Sequence, residues 1–442
     1  MMMPNLQRIA AAIVAAVLAA LAAGDMVFSQ AQPPVNVPGI DKPVVVFSGR
    51  ITADTTWTAD RYWVLRGVVF VSDGATLTIE PGTTVVGELA TIGTLVVERG
   101  GTLIADGRAD APIVFTSDQP PGLRNRGDWG GLIINGRAPI NIPGGVGVGE
   151  GDTGIYGGDD PDDSSGVLRY VRVEFAGIEF SPDNELNGIA FQGVGRGTIV
   201  DHVQVRYNKD DGVEFFGGTV DAKRVILSAI GDDSLDWTFG WTGRMQFLVV
   251  HQRGDDADNG VEADNNGNNN DLLPRSNPAI YNATFVGDPF FDYGNESDDG
   301  LLIREGTAGT FRNFIVLGFK EWGVNIDQDA TVAQAQLGAL TFRNGIVHGN
   351  GIVAGRGEVD PAAEPFLTAA HEIRLEDPGL IDPFNHTNPN FRPSGSGTLA
   401  AGGMPVAMPP NDGFFEPAPF IGALSPDPAL DWTTGWTDYS AP

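Results

Sequence analysis

Three short segments of the chain crowd carboxylates next to apolar residues. The first, "NKDDGVEFFGG" at 208–218, places Asp210 and Asp211 just before Glu214. The segments "IGDDSLDWTFG" at 230–240 and "GDDADNGVEAD" at 254–264 repeat this arrangement. Carboxylate oxygens on flexible turns are the hard ligands that Ca²⁺ prefers, and the chain has no cysteine that could serve as a zinc ligand. The three segments therefore predict a calcium-type site.

The predicted metal ligands are all the acidic residues of these segments: Asp210, Asp211, Glu214, Asp232, Asp233, Asp236, Asp255, Asp256, Asp258, Glu262 and Asp264. Two like charges about 5 Å apart repel by roughly 3 kcal/mol at an effective dielectric constant of 20. Residues 207–305 contain 19 acidic and 7 basic side chains, so few protein cations can offset this repulsion. Two alternatives to a bound metal stay open: a solvated acidic edge, and protonation of some of the carboxyls. A catalytic carboxylate pair is a further alternative, which is compatible with bound calcium.

The acidic segments belong to a repeat that predicts the fold. Strings with apolar or small residues at their second and fourth positions recur as "GIAFQ", "GVEFF", "SLDWT", "GVEAD", "GLLIR" and "GVNID", starting at 188, 212, 234, 260, 300 and 323. Alternation with a period of two indicates strands with one buried face. The residues expected to point inward include Val213, Phe215, Leu235, Trp237, Val261, Leu301 and Val324. Glu214, Asp236 and Glu262 would then form one outward-facing acidic column.

A second family of apolar strands alternates with the first. It comprises "VDHVQV" at 200–205, "RVILS" at 224–228, "MQFLVV" at 245–250, "YNATFV" at 281–286, "RNFIVL" at 312–317 and "RNGIVH" at 343–348. Strands from successive repeats would pair in parallel as a solenoid, with asparagines at matching places stacked in an internal ladder. Residues 32–360 are therefore predicted to form the solenoid, and the Pro-rich residues 361–442 a final coil and cap. "DWTTGWT" at 431–437 nearly repeats residues 236–242, so either the tail folds back along the solenoid or the likeness is chance.

Several segments resemble a known group of proteins. "ATLTIEPGTTVVG" at 75–87, "GGTLIADGRADAPIVFTSD" at 100–118 and "GDWGGLIINGRAPI" at 127–140 are similar to bacterial secreted right-handed parallel β-helix proteins of the pectin-lyase-like kind. The late stretch "EDPGLIDPFNHTNPNFRPSGSGTLAAGG" at 376–403 resembles their closing coil. The resemblance implies an all-β, single-domain, right-handed parallel β-helix with an irregular C-terminal cap. It implies no particular activity, because this fold serves lyases, hydrolases and adhesins.

The N-terminus has the features of an export signal. A basic start that ends at Arg8 precedes an apolar run over 9–23. This run closes with the small residues Ala20 and Ala22, and a similar pair follows at Ser29 and Ala31. This run is too short to span a bilayer. We expect residues 1–31 to be a signal peptide that is cut after residue 22 or 31, which gives a secreted, periplasmic or cell-surface protein without a membrane anchor.

Charge and aromatic residues narrow the range of ligands. The net charge of −30 argues against nucleic acid, because phosphate binding needs lysine and arginine. Cations and polysaccharides are the expected partners. Aromatic residues that could stack on sugar rings, or could simply cover the base of a loop, are Phe216, Phe290, Phe291 and Tyr293.

Three functions fit these features. The first is polysaccharide binding or a structural role, with calcium on the acidic flank. The second is a calcium-dependent polysaccharide lyase, with its base among Lys209, Arg224, Arg244 and Arg253. The third is a glycoside hydrolase that uses paired carboxylates, since "GDDS" at 231–234 and "GDDA" at 254–257 resemble the paired aspartates of polygalacturonases. The Gly-His-Gly and Arg-Ile-Lys elements of those enzymes do not occur, so no catalytic residue is assigned.

Overall fold

One long parallel sheet, wound into a helix of coils, dominates the computed structural model. The model describes residues 41–181, 184–290 and 296–442, so the predicted signal peptide lies outside the described residues. Within them, 23 strands are joined into a single sheet, and each strand pairs in parallel with a strand of the next coil. The predicted all-β parallel β-helix is confirmed.

The strands stack in three ladders, which we call A, B and C in the order that the chain visits them in each coil. Strands that belong to ladder A alone are β2 (Thr55–Trp57), β4 (Thr76–Ile79) and β7 (Thr102–Asp106). Those of ladder B alone are β5 (Thr84–Gly87), β8 (Ile113–Ser117) and β27 (Ile373–Arg374). Ladder C contains β6 (Thr94–Val97), β9 (Gly131–Asn135), β15 (Ile189–Gln192), β17 (Val213–Phe216), β19 (Leu235–Thr238), β21 (Val261–Ala263), β23 (Leu302–Ile303) and β25 (Asn325–Ile326).

Longer strands bend and contribute to two ladders. Ladders A and B share β12 (Gly166–Glu174), β16 (Ile199–Arg206), β18 (Asp221–Ser228), β20 (Arg244–His251), β22 (Ala279–Val286), β24 (Gly309–Leu317) and β26 (Leu340–His348). Ladders B and C share β1 (Val44–Ile51) and β3 (Tyr62–Val71).

Hairpins and short helices lie in the segments that connect or follow the strands of the coils. The antiparallel hairpins are β10–β11 (Gly147–Val148 and Ile155–Tyr156), β13–β14 (Ile178–Ser181 and Asn184–Leu186) and β28–β29 (Leu380–Asp382 and Asn390–Pro393). The helices are α1 (Asp329–Gln336), α2 (Gly397–Ala401) and 3₁₀ turns at Leu89–Thr91, Glu150–Asp152, Glu364–Phe366, Ala369–His371 and Pro428–Leu430. Among the described residues, no helix has both the length and the apolar character needed to cross a membrane.

The interior is filled by the inward-facing residues of all three ladders. Every residue predicted to point inward from the repeated strings is at most 2% exposed and belongs to the main core: Val213, Phe215, Leu235, Trp237, Val261, Leu301 and Val324. Aromatic rings stack between neighbouring coils, with Phe191 over Phe215 at 5.2 Å between ring centroids. Continuous burial along the coil axis replaces the disulfides that a chain without cysteine cannot form.

The corner between ladders A and B is formed by one residue per coil with left-handed backbone geometry. Asn282, Asn313 and Asn344 occupy this position with φ of 55°, 54° and 55°, a region that asparagine enters more readily than most residues. The expected internal asparagine ladder is wrong in its direction. Their side-chain amides donate outward to the C-terminal tail, from Asn282 to the Phe420 carbonyl and from Asn313 to the Ala407 carbonyl, both at 2.7 Å.

The C-terminal tail, residues 404–442, folds back along the outside of ladders A and B. The side-chain amide of Gln246 accepts from Glu416 N–H at 2.8 Å and donates to its carbonyl at 2.9 Å. Gln204 makes the same pair of hydrogen bonds to Asp438. The repeated tryptophan segment ends this path, where Trp436 is buried and packs edge-on against Tyr170. The tail therefore shields the outward face of two ladders and leaves ladder C to the acidic residues.

Candidate metal centre

The acidic column predicted from the repeat is present on ladder C. Glu214 lies opposite Asp236 in the register of β17 and β19, and Asp236 lies opposite Glu262 in β19 and β21. All three point away from the core because their strand neighbours, such as Val213 and Phe215, fill it. A coil spacing of about 4.8 Å brings each carboxylate next to the one above it.

The turns that lead into ladder C add more carboxylates to this column. Four groups of three have carboxylate oxygens within 4.8 Å of one another: Asp210, Asp211 and Asp232; Asp211, Glu214 and Asp236; Asp232, Asp233 and Asp258; Asp233, Asp236 and Glu262. We call the eight residues in these groups the acidic cluster. Asp211, Asp232, Asp233 and Asp236 each belong to two groups, so the groups are continuous across three coils.

Most of the acidic cluster is buried. Asp211, Glu214 and Asp236 are 7%, 8% and 9% exposed, and Asp210 and Asp233 are buried too. These residues therefore do not form a solvated acidic edge, which removes one of the alternatives left open by the sequence. Buried carboxylates must be protonated, hydrogen-bonded or paired with a positive charge.

Part of the cluster also has a structural role that the sequence analysis missed. Asp211 Oδ1 accepts from Asp233 N–H at 3.1 Å, and Asp233 Oδ1 accepts from Asn259 N–H at 2.6 Å. The series continues in the next coils. Asn259 Oδ1 accepts from Asp299 N–H at 3.2 Å, and Asp299 Oδ1 accepts from Trp322 N–H at 2.8 Å. The signal was available, since an Asp or Asn stands directly before the first residue of several repeated strings. We call Asp211, Asp233, Asn259 and Asp299 the Asx ladder.

Asp236 has a buried oxygen that no protein donor reaches. Its Oδ1 has no hydrogen-bond partner among the described residues. Its neighbour in the column, Glu214, receives one hydrogen bond at Oε2 from the Asn187 side-chain amide at 2.6 Å. An orphaned carboxylate oxygen surrounded by further carboxylates fits a hard divalent cation, because such a cation binds several oxygens at once.

Protein cations touch the margins of the acidic cluster. Arg304 contacts Glu262 and also Asp264, the latter at 2.9 Å. Asp264 lies outside the four groups, and so do two further predicted metal ligands that pair with arginine and lysine. Asp255 contacts Arg126 at 3.1 Å and Arg253 at 3.0 Å, and Asp256 contacts Lys209 at 3.1 Å. The structure thus brings eight of the eleven predicted ligands together and places Asp255, Asp256 and Asp264 in ion pairs.

Burial and mutual repulsion raise the carboxyl pKa values across the cluster. Desolvation is the main cause for Asp211, Glu214, Asp233 and Asp236, whose pKa values lie well above the ordinary range, and neighbouring carboxylates add to it. The same causes raise the pKa of Glu262 to about 7, although Arg304 opposes the shift. A bound cation would reverse these shifts because it favours the ionised form.

The aromatic residues predicted to contact sugar differ in how exposed their rings are. Phe216 faces outward on its strand but is only 5% exposed, because it packs edge-on against Tyr156 with 6.2 Å between ring centroids. It therefore offers no free ring face to a sugar. Phe290 is 70% exposed and contacts Phe384 edge-on. Phe291 and Tyr293 lie outside the described residues.

Two of the predicted lyase bases are far from the acidic cluster in the fold. Arg224 and Arg244 lie on the strands of ladders A and B, where they pair with Glu416 and Asp412 of the C-terminal tail. Lys209 and Arg253 lie on the turns between ladders B and C, each in the ion pair described above. Only these last two remain near the acidic cluster.

Comparison with known proteins agrees with the architecture. The family model for the pectate-lyase-like β-helix domain matches residues 49–355, which is more than half of the chain. No curated protein and no solved structure matches the chain significantly. The matched region contains ladder C and the whole acidic cluster. The chain therefore belongs to the family of pectate-lyase-like β-helix domains.

Proposed function

We propose that the protein is an exported β-helix that binds acidic polysaccharide, and that its acidic cluster holds a divalent cation of the calcium type. The observation that carries this proposal is the buried Asp236, whose Oδ1 lacks a donor among the described residues while carboxylates of two neighbouring coils approach it. Membership of the pectate-lyase-like family supports a polysaccharide as the partner.

The candidate ligands form two overlapping sets. Asp211, Glu214 and Asp236 make up one, and Asp233, Asp236 and Glu262 the other. Oxygen-only ligands on turns suit calcium, whereas magnesium demands a stricter geometry and zinc prefers nitrogen and sulfur. When bound, the cation supplies positive charge that attracts a uronate carboxylate of the polysaccharide.

Export is part of the same proposal. The basic start, the apolar run and the small residues near Ala22 and Ala31 support a cleaved signal peptide. Outside the cytoplasm the protein would meet both polysaccharide and a higher concentration of calcium, so a weak calcium site would be filled.

Bond cleavage is the second candidate function, and Glu262 is the observation that favours it. A carboxyl with a pKa of about 7 is partly protonated at neutral pH and can act as a general acid. The carboxyl of Asp236 lies next to it in the column, and hydrolysis by a carboxylate pair would need that second carboxyl in its ionised form. Elimination would instead need a base, and Lys209 is held by Asp256 at 3.1 Å.

Binding and product assays separate these candidates. We would measure retention of the purified protein on polygalacturonate and on a neutral polysaccharide, in EDTA and in millimolar calcium. Calcium-dependent retention without products supports binding, and new reducing ends indicate hydrolysis. Ultraviolet absorbance from unsaturated ends indicates elimination.

A matched pair of variants completes the test. Asp236→Asn should abolish calcium-dependent retention. Asp110→Asn should not, because Asp110 is a highly exposed carboxylate that pairs with Arg108 away from the acidic cluster. Equal retention in EDTA and calcium, with Asp236→Asn behaving as the unmodified protein, would refute the cation proposal.

A further inference from the structure

A polar groove of about 500 Å³ lies at the other end of the ladder C strands. This volume is within the range of small-molecule sites. Its lining includes side chains that follow or end three successive strands, β3, β6 and β9, together with one residue of a neighbouring loop: Asp73, Glu98, Arg99, Asn135, Arg137 and Asp159. Three acids and two guanidinium groups line it, so the groove can both donate and accept hydrogen bonds.

The groove and the acidic cluster share one wall. This wall is the hairpin β10–β11, whose Ile155 lines the groove. The next residue, Tyr156, packs on Phe216, one strand position beyond Phe215 in the coil of Glu214. Glu150, between the two strands of the hairpin, is close enough to Glu214 to raise its pKa further. One extended ligand could therefore cross this hairpin and reach both places.

The floor of the groove contains a buried acceptor without a donor. Asn135 is fully buried, and its Nδ2 donates to the Thr153 carbonyl at 3.0 Å. Its Oδ1 has no hydrogen-bond partner among the described residues. A buried amide oxygen normally receives a hydrogen bond, so a donor from a bound molecule would complete this site.

The two guanidinium groups of the groove keep donors available for an anion. Arg137 pairs with Asp73 at 3.0 Å, and both side chains are substantially exposed, with 45% and 72% of their surfaces accessible. Exposed pairs of this kind contribute at most about 1 kcal/mol, so a competing carboxylate can replace Asp73. Arg99 makes one hydrogen bond to the Gly157 carbonyl at 3.0 Å. The guanidinium fork is well suited to bind a carboxylate through two hydrogen bonds.

We propose that this groove binds a uronate-containing oligosaccharide directly, without a cation. A sugar carboxylate would pair with Arg137 and Arg99, and a sugar hydroxyl would donate to Asn135 Oδ1. This inference rests on the proposed function, because it assigns a second contact point to the same acidic polysaccharide. The chain would then hold its ligand at one cation-dependent and one cation-independent place.

Titration calorimetry with a short oligogalacturonate, in calcium and in EDTA, tests the groove. We expect weaker but measurable binding in EDTA, and we expect Arg137→Gln to lower this residual affinity at least tenfold, as for the loss of a charged hydrogen bond. Arg108→Gln is the matched control, because Arg108 is an exposed arginine paired with Asp110 outside the groove. A neutral oligosaccharide of equal length should bind more weakly than the uronate.

The outcomes separate the groove from the cation site. Binding in calcium that disappears in EDTA would overturn the groove and leave the proposed function intact. Binding in EDTA that Arg137→Gln does not weaken, or that the neutral oligosaccharide matches, would also overturn the groove. No binding in either buffer would overturn both proposals. A melting curve of each variant shows whether a loss of binding reflects misfolding, and Arg137→Lys is the conservative variant for that comparison. Arg99→Gln provides a second test of the guanidinium pair.

Discussion

At the scale of single residues, Asp236 is the carboxylate of the acidic cluster that has close carboxylate neighbours on both sides and an oxygen without a donor among the described residues. It is buried, it belongs to two of the four carboxylate groups, and its Oδ1 lacks a protein donor among the described residues. Ionised, it repels Glu214 and Glu262 from the coils on either side. The same position that destabilises the cation-free protein would contribute most to cation binding.

Replacing Asp236 should therefore have opposite effects in the two conditions. In EDTA we expect Asp236→Asn to raise the free energy of unfolding by about 1 to 3 kcal/mol, because it removes repulsion between neighbouring charges. In millimolar calcium the variant should be less stable than the unmodified protein, because fewer ligands hold the cation. Urea unfolding with and without calcium measures both effects. A stability change of the same sign in both buffers would contradict this prediction.

The raised carboxyl pKa values also predict how stability depends on pH. The pKa of Glu262 rises from an ordinary value of 4.5 to about 7, and that of Asp258 from 3.8 to about 6. Between these limits the folded protein binds more protons than the unfolded chain, so stability falls as pH rises from 5 to 7. In EDTA the melting temperature should fall across this interval.

Saturating calcium should flatten this dependence, because the cation keeps the carboxylates ionised throughout the interval. Thermal melting at several pH values, in EDTA and in calcium, provides the comparison. A melting temperature that rises with pH in EDTA would show that the pKa values of these carboxyls are not raised in the folded protein.

The sequence could predict the outward column at this scale but not its burial. Period-two alternation places Glu214, Asp236 and Glu262 on one face, and the structure agrees. Whether Asp255 joins the cluster depends on Arg126, which is 129 residues away in the chain. Such long-range pairing leaves no local pattern, so the sequence alone could not show that Asp255 and Asp256 lie in ion pairs with arginine and lysine.

At the scale of elements, the C-terminal tail is fixed to ladders A and B by side-chain amides. Gln204, Gln246 and Asn313 each donate to and accept from the backbone of a tail residue. Each amide thereby imitates one step of strand pairing. Apolar residues of the tail, such as Trp436 and Ile421, cover the outward-facing apolar residues of the ladders.

Removing one amide clamp should loosen its part of the tail. We expect Gln246→Ala to lower stability by about 1 to 3 kcal/mol, because two hydrogen bonds to Glu416 are lost. Hydrogen exchange should increase around residue 416 and remain unchanged around the Asp438 contact of Gln204. Uniform loss of protection along the whole tail would show that the tail detaches as one unit.

The strands of each coil could be read from the sequence, and the repeat at 431–437 made the return of the tail one of two alternatives. The direction of the corner asparagines could not be read. Asn282, Asn313 and Asn344 recur at matching places, and this recurrence correctly indicates a stacked position. Their direction depends on the corner geometry and on partners up to 138 residues away. The repeat shows neither the corner geometry nor these partners, so from the repeat alone the asparagine side chains are expected inside the solenoid.

At the scale of the whole molecule, the chain has 57 acidic and 27 basic side chains. This excess suits a protein that works outside the cell among cations and polysaccharides, and it opposes binding to nucleic acids. The proposed location rests on the predicted N-terminal signal, which precedes the described residues.

Export predicts a shortened mature chain. The protein recovered from its native host should begin after Ala22 or Ala31, because small residues there meet the requirements of a signal peptidase. Mass spectrometry of the N-terminal peptide, combined with fractionation of the cells, measures this. An intact Met1 on protein found in the cytoplasm would contradict the prediction.

The acidic column has a defined length. On the preceding coil, Ala190 lies opposite Glu214, and on the following coil, Leu302 lies opposite Glu262. The row of carboxylates therefore ends at both sides. Three carboxylates at the coil spacing extend over about 10 Å. A surface that nucleates a calcium mineral has to repeat its charges over many lattice spacings. This row is too short to act as such a template, and the proposed cation site would hold a few ions at most.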